Sequence, residues 1–183
     1  PYSLFPIPWQ LHMPAVSFDQ LPDDARLWVF AAARPLDDTQ QADLLAHVDD
    51  FIARWAAHGS PVVGGRELRH GRFLLVGADE RATGVSGCSI DTLFRSLGEL
   101  EAQTGVPLRD SSLVFWRGAD GQIQAEPRAS FRQRVSAGEV DADTTVFDNT
   151  VGTVGDVRGG RWELPMRASW HARAFGAAAA GRE

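Results

Sequence analysis

Two periodicities divide the chain: runs of adjacent apolar residues mark strands, and apolar residues three and four apart mark helices. Residues 27–31 form an apolar run of strand length, after which Pro35 breaks the chain. Leu44, Leu45, Val48, Phe51, Ile52 and Trp55 then recur at helical spacing, with Asp43, Asp50 and Arg54 elsewhere on the wheel. Asp38 with Gln41 three residues later predicts a capping box at the helix start. Gly59 followed by Pro61 predicts its end, and carries the helix past His58. Residues 62–69 read as a weaker edge strand, and His70-Gly71 as a turn. Phe73-Leu74-Leu75-Val76 suits a strand buried on both faces. A Gly/Ser/Thr-rich loop over residues 82–88 follows. Ser89 is then the expected N-cap of a second helix, with a stripe of Ile90, Leu93, Phe94, Leu97 and Leu100 and a stop at Gly105 and Pro107. Residues 113–116 and 122–125 form two strand segments around the turn at 118–121.

This order, βαββαβ, predicts an α+β fold: a ferredoxin-like core over residues 26–125, with two helices on one face of an antiparallel sheet. A C-terminal α/β extension over residues 126–175 is expected to pack on that core. It contains a short helix near 130–137, a strand at 144–147 and a last extended stretch at 161–165. Residues 1–25 form an N-terminal extension, of which residues 1–12, rich in proline and aromatics, read as non-native or as lying upstream of a true start at Met13, with an arm that docks on a partner as the functional alternative. Residues 176–183, GAAAAGRE, read as a frayed tail.

Composition removes several chemistries. All 18 basic residues are arginine, so no Schiff-base lysine and no P-loop lysine exist. Tyr2 is the only tyrosine, and Cys88 the only cysteine, which excludes an intrachain disulfide and any Cys-rich zinc site. A lone thiol fits a reducing cytosol, and arginine without lysine fits a GC-rich bacterial coding sequence. The net charge of −6 lies within the first 125 residues, and the remainder is neutral. Such a chain lacks the basic footprint of a nucleic-acid binder. The groups Arg66, Arg69, Arg72 and Arg128, Arg132, Arg134 are each flanked by acids. No apolar run reaches the roughly 20 residues of a membrane span.

Chemistry concentrates at two places. Gly87-Cys88-Ser89-Ile90-Asp91 sets a thiol beside a helix N-terminus, where unpaired amides and the dipole favour a thiolate or a bound anion. The bland alternative makes Ser89 a cap, Asp91 a first-turn acid and Cys88 a small buried residue. His58, at the far end of the first helix, would lie roughly 30 Å from Cys88. If a histidine serves Cys88, His171 is the better candidate, since the path of the C-terminal segment is open. Ser169-Trp170-His171 either forms part of a site or pins the C-terminal segment. Of six tryptophans, Trp28, Trp55 and Trp116 are expected in the core, while Trp162 and Trp170 are candidates for an aromatic groove. No His/Cys/Asp/Glu spacing points to a metal, and no cofactor is expected.

Trp55-Ala56-Ala57-His58-Gly59, Gly87-Cys88-Ser89-Ile90-Asp91, Thr145-Val146-Phe147-Asp148-Asn149 and Ser169-Trp170-His171, in this order, resemble a family of small uncharacterised bacterial proteins best represented in Bacteroidetes. The resemblance spans roughly residues 26–175. Members often carry the label "ABC transporter ATPase", for which this chain has no P-loop. The resemblance implies no activity, but it does imply a shared purpose for Cys88, Asp91, His58, Asn149 and His171.

Three functions follow as expectations. The first is a non-catalytic cytoplasmic binding or assembly protein, holding a small anionic ligand or a protein partner through Gly87, Ser89, Asn149 and Trp170. The second is a cysteine-dependent hydrolase or transferase with Cys88 as nucleophile and Asp91 or His171 as base or orienter. The third, RNA binding on an open sheet face, is disfavoured by charge.

Overall fold

A computed structural model describes residues 15–81 and 84–176. The arm at residues 1–12 and all but the first residue of the expected tail lie outside the described residues. Five α-helices and antiparallel sheets make up the fold of the described residues. Strand β1 (Arg26–Ala31) leads to α1 (Asp38–Arg54), then a minimal hairpin of β2 (Ala56–Ala57) and β3 (Ser60–Pro61). Next come β4 (Val63–Arg69), β5 (Phe73–Asp79) and α2 (Gly87–Thr104). The remainder runs β6 (Leu113–Arg117), β7 (Ile123–Pro127), α3 (Arg128–Ser136), β8 (Thr145–Phe147), α4 (Val154–Arg158), β9 (Glu163–Pro165) and α5 (Trp170–Phe175).

The helix termini follow local chemistry, displaced slightly from expectation. Asp37, one residue before the predicted box, caps α1 by accepting from the Gln40 amide at 2.8 Å, while Gln40 Oε1 accepts from the Asp37 amide. Ser86, rather than Ser89, is the N-cap of α2. At the other end, Gly105 adopts the left-handed conformation at φ 67° and stops α2 as expected. Helix α1 stops at Arg54, because Trp55 turns extended (φ −67°, ψ 123°). His58 and Gly59 then occupy the left-handed region, at φ 51° and 79°, as a two-residue hairpin turn requires. His58 is thus an exposed turn residue and not the inward-facing end of a helix. His70 and Gly71 repeat the same turn between β4 and β5.

Two sheets stack between two helical layers. The first has the order β1-β5-β4, and the second β7-β6-β8-β9. Alternate residues of β5 face opposite ways: Leu74, Val76 and Ala78 join α1 and α2 in one core, Phe73 and Leu75 join the second sheet in another. Strand β6 also serves two cores, with Phe115 between the sheets and Val114 and Trp116 beneath α3 and α5. Residues 113–117 therefore do not become a fourth strand beside β1. They pair with β7 and β8, where Phe115 meets Phe73 and Phe147 in an aromatic cluster closed by Trp162. Each such aromatic pair contributes roughly 0.5–1.5 kcal/mol beyond its buried area. The second sheet takes strands from both sides of residue 125. Residues 15–25 enter the inter-sheet core through Phe18, Leu21 and Ala25, and Leu21 fills the space that a side chain at Gly77 would need.

Candidate functional site

The free edge of β1 borders a cleft of about 450 Å³, within the roughly 300–1,000 Å³ of small-molecule sites. One wall is α2 and the segment before β6, contributing Phe94, Leu108 and Arg109. The other is built from Arg128, residues 149–152 and the Trp170-His171 pair at the start of α5. Phe94, half out of α2, is the one large exposed hydrophobic side chain among the described residues and packs edge-on against Phe30.

Backbone hydrogen bonds define this edge. The Leu27 amide donates to Gly152 O and the Val154 amide to Ala25 O, so a short antiparallel stretch closes one end. The Ala31 amide donates to Leu108 O and closes the other. Both Leu27 and Ala31 thus turn their amides away from β5, and strand alternation turns Val29 the same way. Between the two closures, Leu27 O, Val29 N–H and Val29 O have no partner among the described residues.

The charged groups on the walls are tied to different degrees. Arg109 forms a two-point ion pair with Glu101, whose carboxylate also accepts from the Leu108 and Arg109 amides at 2.6 and 2.9 Å. Burial works against the charge on Glu101, but Arg109 and those amides outweigh it and hold the carboxyl below its usual range. Arg26 stands over the Trp28 ring and reaches Glu80 at 3.5 Å. Arg128 rests over Trp170, 5.3 Å from the ring centre, and has no carboxylate partner among the described residues. Asp110 is the acid on the cleft wall, its pKa lowered by hydrogen bonds from Ser112.

Of the residues singled out from sequence, Asn149, Trp170 and His171 meet in this cleft. Asn149 Oδ1 accepts from the buried Trp162 indole at 3.0 Å, which leaves its amide nitrogen free. His171 is buried, its Nδ1 2.9 Å from Ser169 Oγ. Burial pushes its pKa down to about 4, with Asp148 opposing and Arg128 reinforcing the shift. The Trp170 indole N–H is buried with no acceptor among the described residues. Gly87, Cys88, Ser89 and Asp91 lie elsewhere, in the first turns of α2 on the outer face of the first sheet. Ser89 is buried there and donates its hydroxyl to Ser86 O, while Cys88 and Asp91 are exposed and make no side-chain hydrogen bond among the described residues. Cys88 is therefore neither a packed core residue nor a partner of His171, which sits beside α3 and Phe131 beyond both sheets.

Sequence reasoning missed Phe94, Arg109, Arg128 and the β1 edge. The arginine groups it noted are divided among structural tasks: Arg66 pairs with Asp49, Arg69 with Glu67, and Arg134 with Glu126 and Glu139. Arg72 is buried and donates to the carbonyls of Ala32, Ala33 and Ile123. No group of three potential metal ligands occurs among the described residues, and no helix there is long and apolar enough to cross a membrane. Comparison of the chain with protein-family models, curated proteins and solved structures gave no match.

Proposed function

We propose that this chain is a non-catalytic binding protein whose ligand, a small anion, sits in the cleft along β1. The observation that carries this reading is Arg128, a cation without a carboxylate partner among the described residues, held over Trp170 on the wall of the cleft in a chain of net charge −6. An anion there gains a charge-assisted hydrogen bond without breaking an existing ion pair. Binding rather than turnover is favoured because, among the described residues, no nucleophile, base and oxyanion donors converge: the Cys88 thiol has no hydrogen-bond partner, and Ser169 is the only hydrogen-bond partner of the His171 ring. We read β1-α1-β4-β5-α2 as a split βαβ unit whose fourth-strand place, beside β1, is the cleft itself.

Titration of the protein with glutarate, followed by tryptophan fluorescence and by calorimetry, tests the reading. Saturable binding that weakens about tenfold or more in Arg128→Gln is expected. Absence of binding to glutarate and to acidic peptides alike, or binding that Arg128→Gln leaves intact, would overturn it.

A further inference from the structure

We infer that the occupant of the β1 cleft is a free, short acidic peptide, which pairs as a strand with the Val29 edge; this inference rests on the anion-binding reading above. Leu27 O, Val29 N–H and Val29 O form a consecutive donor and acceptor set on a strand edge that lines the cleft. A strand edge with unpaired amides and carbonyls is a ready template for pairing, so such a row on a cleft wall suits an outside partner that offers the same groups in return. An extended peptide does so: one residue exchanges both hydrogen bonds with Val29, as in strand addition.

Length and charge follow from the walls. The closures at Leu27–Gly152 and Ala31–Leu108 leave four residue steps of free edge, about 13 Å of strand. Three extended residues fill that span, and a longer chain would have to leave the edge at both ends. Arg128 supplies the charge, while Arg26 and Arg109 are already engaged by Glu80 and Glu101, and Asp110 on the far wall is held by Ser112. A carboxylate on the peptide is the complementary group. The free amide nitrogen of Asn149 adds a donor on the same wall.

The test compares acetyl-Ala-Glu-Ala with glutarate, which also carries two carboxylates but no amide. The peptide is expected to bind roughly tenfold tighter, as one or two added backbone hydrogen bonds would give. Methylating its amide nitrogens in turn should remove that gain at one position. Hydrogen exchange at Val29 should slow when the peptide is bound. Equal affinity for peptide and glutarate with unchanged exchange at Val29 overturns the strand mode and leaves the anion reading standing. Failure of both to bind overturns both. Undiminished binding of the same peptide lengthened by three residues at each end overturns the choice of a free short peptide.

Discussion

Asn149 Oδ1 accepts a hydrogen bond from the indole of Trp162 at 3.0 Å, so a side chain on the wall of the cleft also anchors the inter-sheet core. Trp162 is 2% exposed and has no solvent to fall back on. Asn149→Ala should therefore cost about 1–3 kcal/mol, the penalty of a buried donor left unmade. Asn149→Asp keeps the acceptor and should retain most of the stability, while its added negative charge weakens glutarate binding. Urea unfolding of both variants, with calorimetry on the second, checks the two halves. A stable Asn149→Ala protein would refute the anchoring role.

His171 predicts a pH dependence of stability. Its folded pKa is lowered to about 4, first by burial, with Asp148 opposing and Arg128 assisting. The unfolded chain has an ordinary histidine near 6.5. Below that value the unfolded state takes up a proton that the folded state refuses, so stability is full above it and is lost as the pH falls toward the folded pKa. The loss from this group is at most about 3 kcal/mol, at about 1.4 kcal/mol per pKa unit. Urea midpoints at about pH 7 and about pH 5 should show wild type losing more than His171→Phe. Equal losses in the two proteins would remove His171 as the cause.

Much of the first sheet was legible because each residue carried its own signal. The unbroken run Phe73-Leu74-Leu75-Val76 has no polar face, so only a strand covered on both sides accommodates it, and β5 is that strand. The stripe through Leu93, Leu97 and Leu100 likewise placed α2. Strand β6 was legible as a strand but not in its partner, since both its faces are apolar and suit either sheet. The choice is made by Phe147 and Trp162, some 30 to 45 residues on, which surround Phe73 and Phe115. Asn149, Trp170 and His171 stood out as residue types, and they do share a cleft. The Val29 edge did not stand out, because an open edge is the absence of a neighbouring strand and no residue type encodes it.

Arg72 gives a prediction for the joint between the sheets. Its guanidinium is buried, lies near the rings of Phe73 and Phe115, and donates to carbonyls at the end of β1 and in β7. Desolvation lowers its pKa, and no carboxylate compensates, so the three carbonyls are its only counterparts among the described residues. Arg72→Met fills similar volume but leaves those carbonyls without donors, at a cost of about 3 kcal/mol. Arg72→Lys offers a compact ammonium in place of the planar fork and should recover only part of this. Chemical denaturation of the two variants gives the ranking, and a Met variant as stable as wild type would show the hydrogen bonds to be energetically idle.

Cys88 carries the sharpest contrast between a catalytic and a binding protein. It is exposed in the first turn of α2, with no hydrogen-bonding base, on the far side of the first sheet from His171. Native protein should therefore be alkylated by iodoacetamide without prior unfolding, since access rather than packing governs the thiol. Because the side chain is exposed and makes no hydrogen bond among the described residues, Cys88→Ser should change stability by less than about 0.5 kcal/mol. Glutarate binding in the β1 cleft should be unaltered by that substitution and by alkylation. Asp91→Asn should be equally silent, as Asp91 makes no side-chain hydrogen bond among the described residues. A loss of binding on alkylation would couple the α2 terminus to the cleft through the helix that also carries Phe94. Slow labelling of the native thiol would instead place Cys88 under cover. Either result would return the α2 terminus to the centre of the function, whereas silence at both residues leaves the β1 edge as the working part.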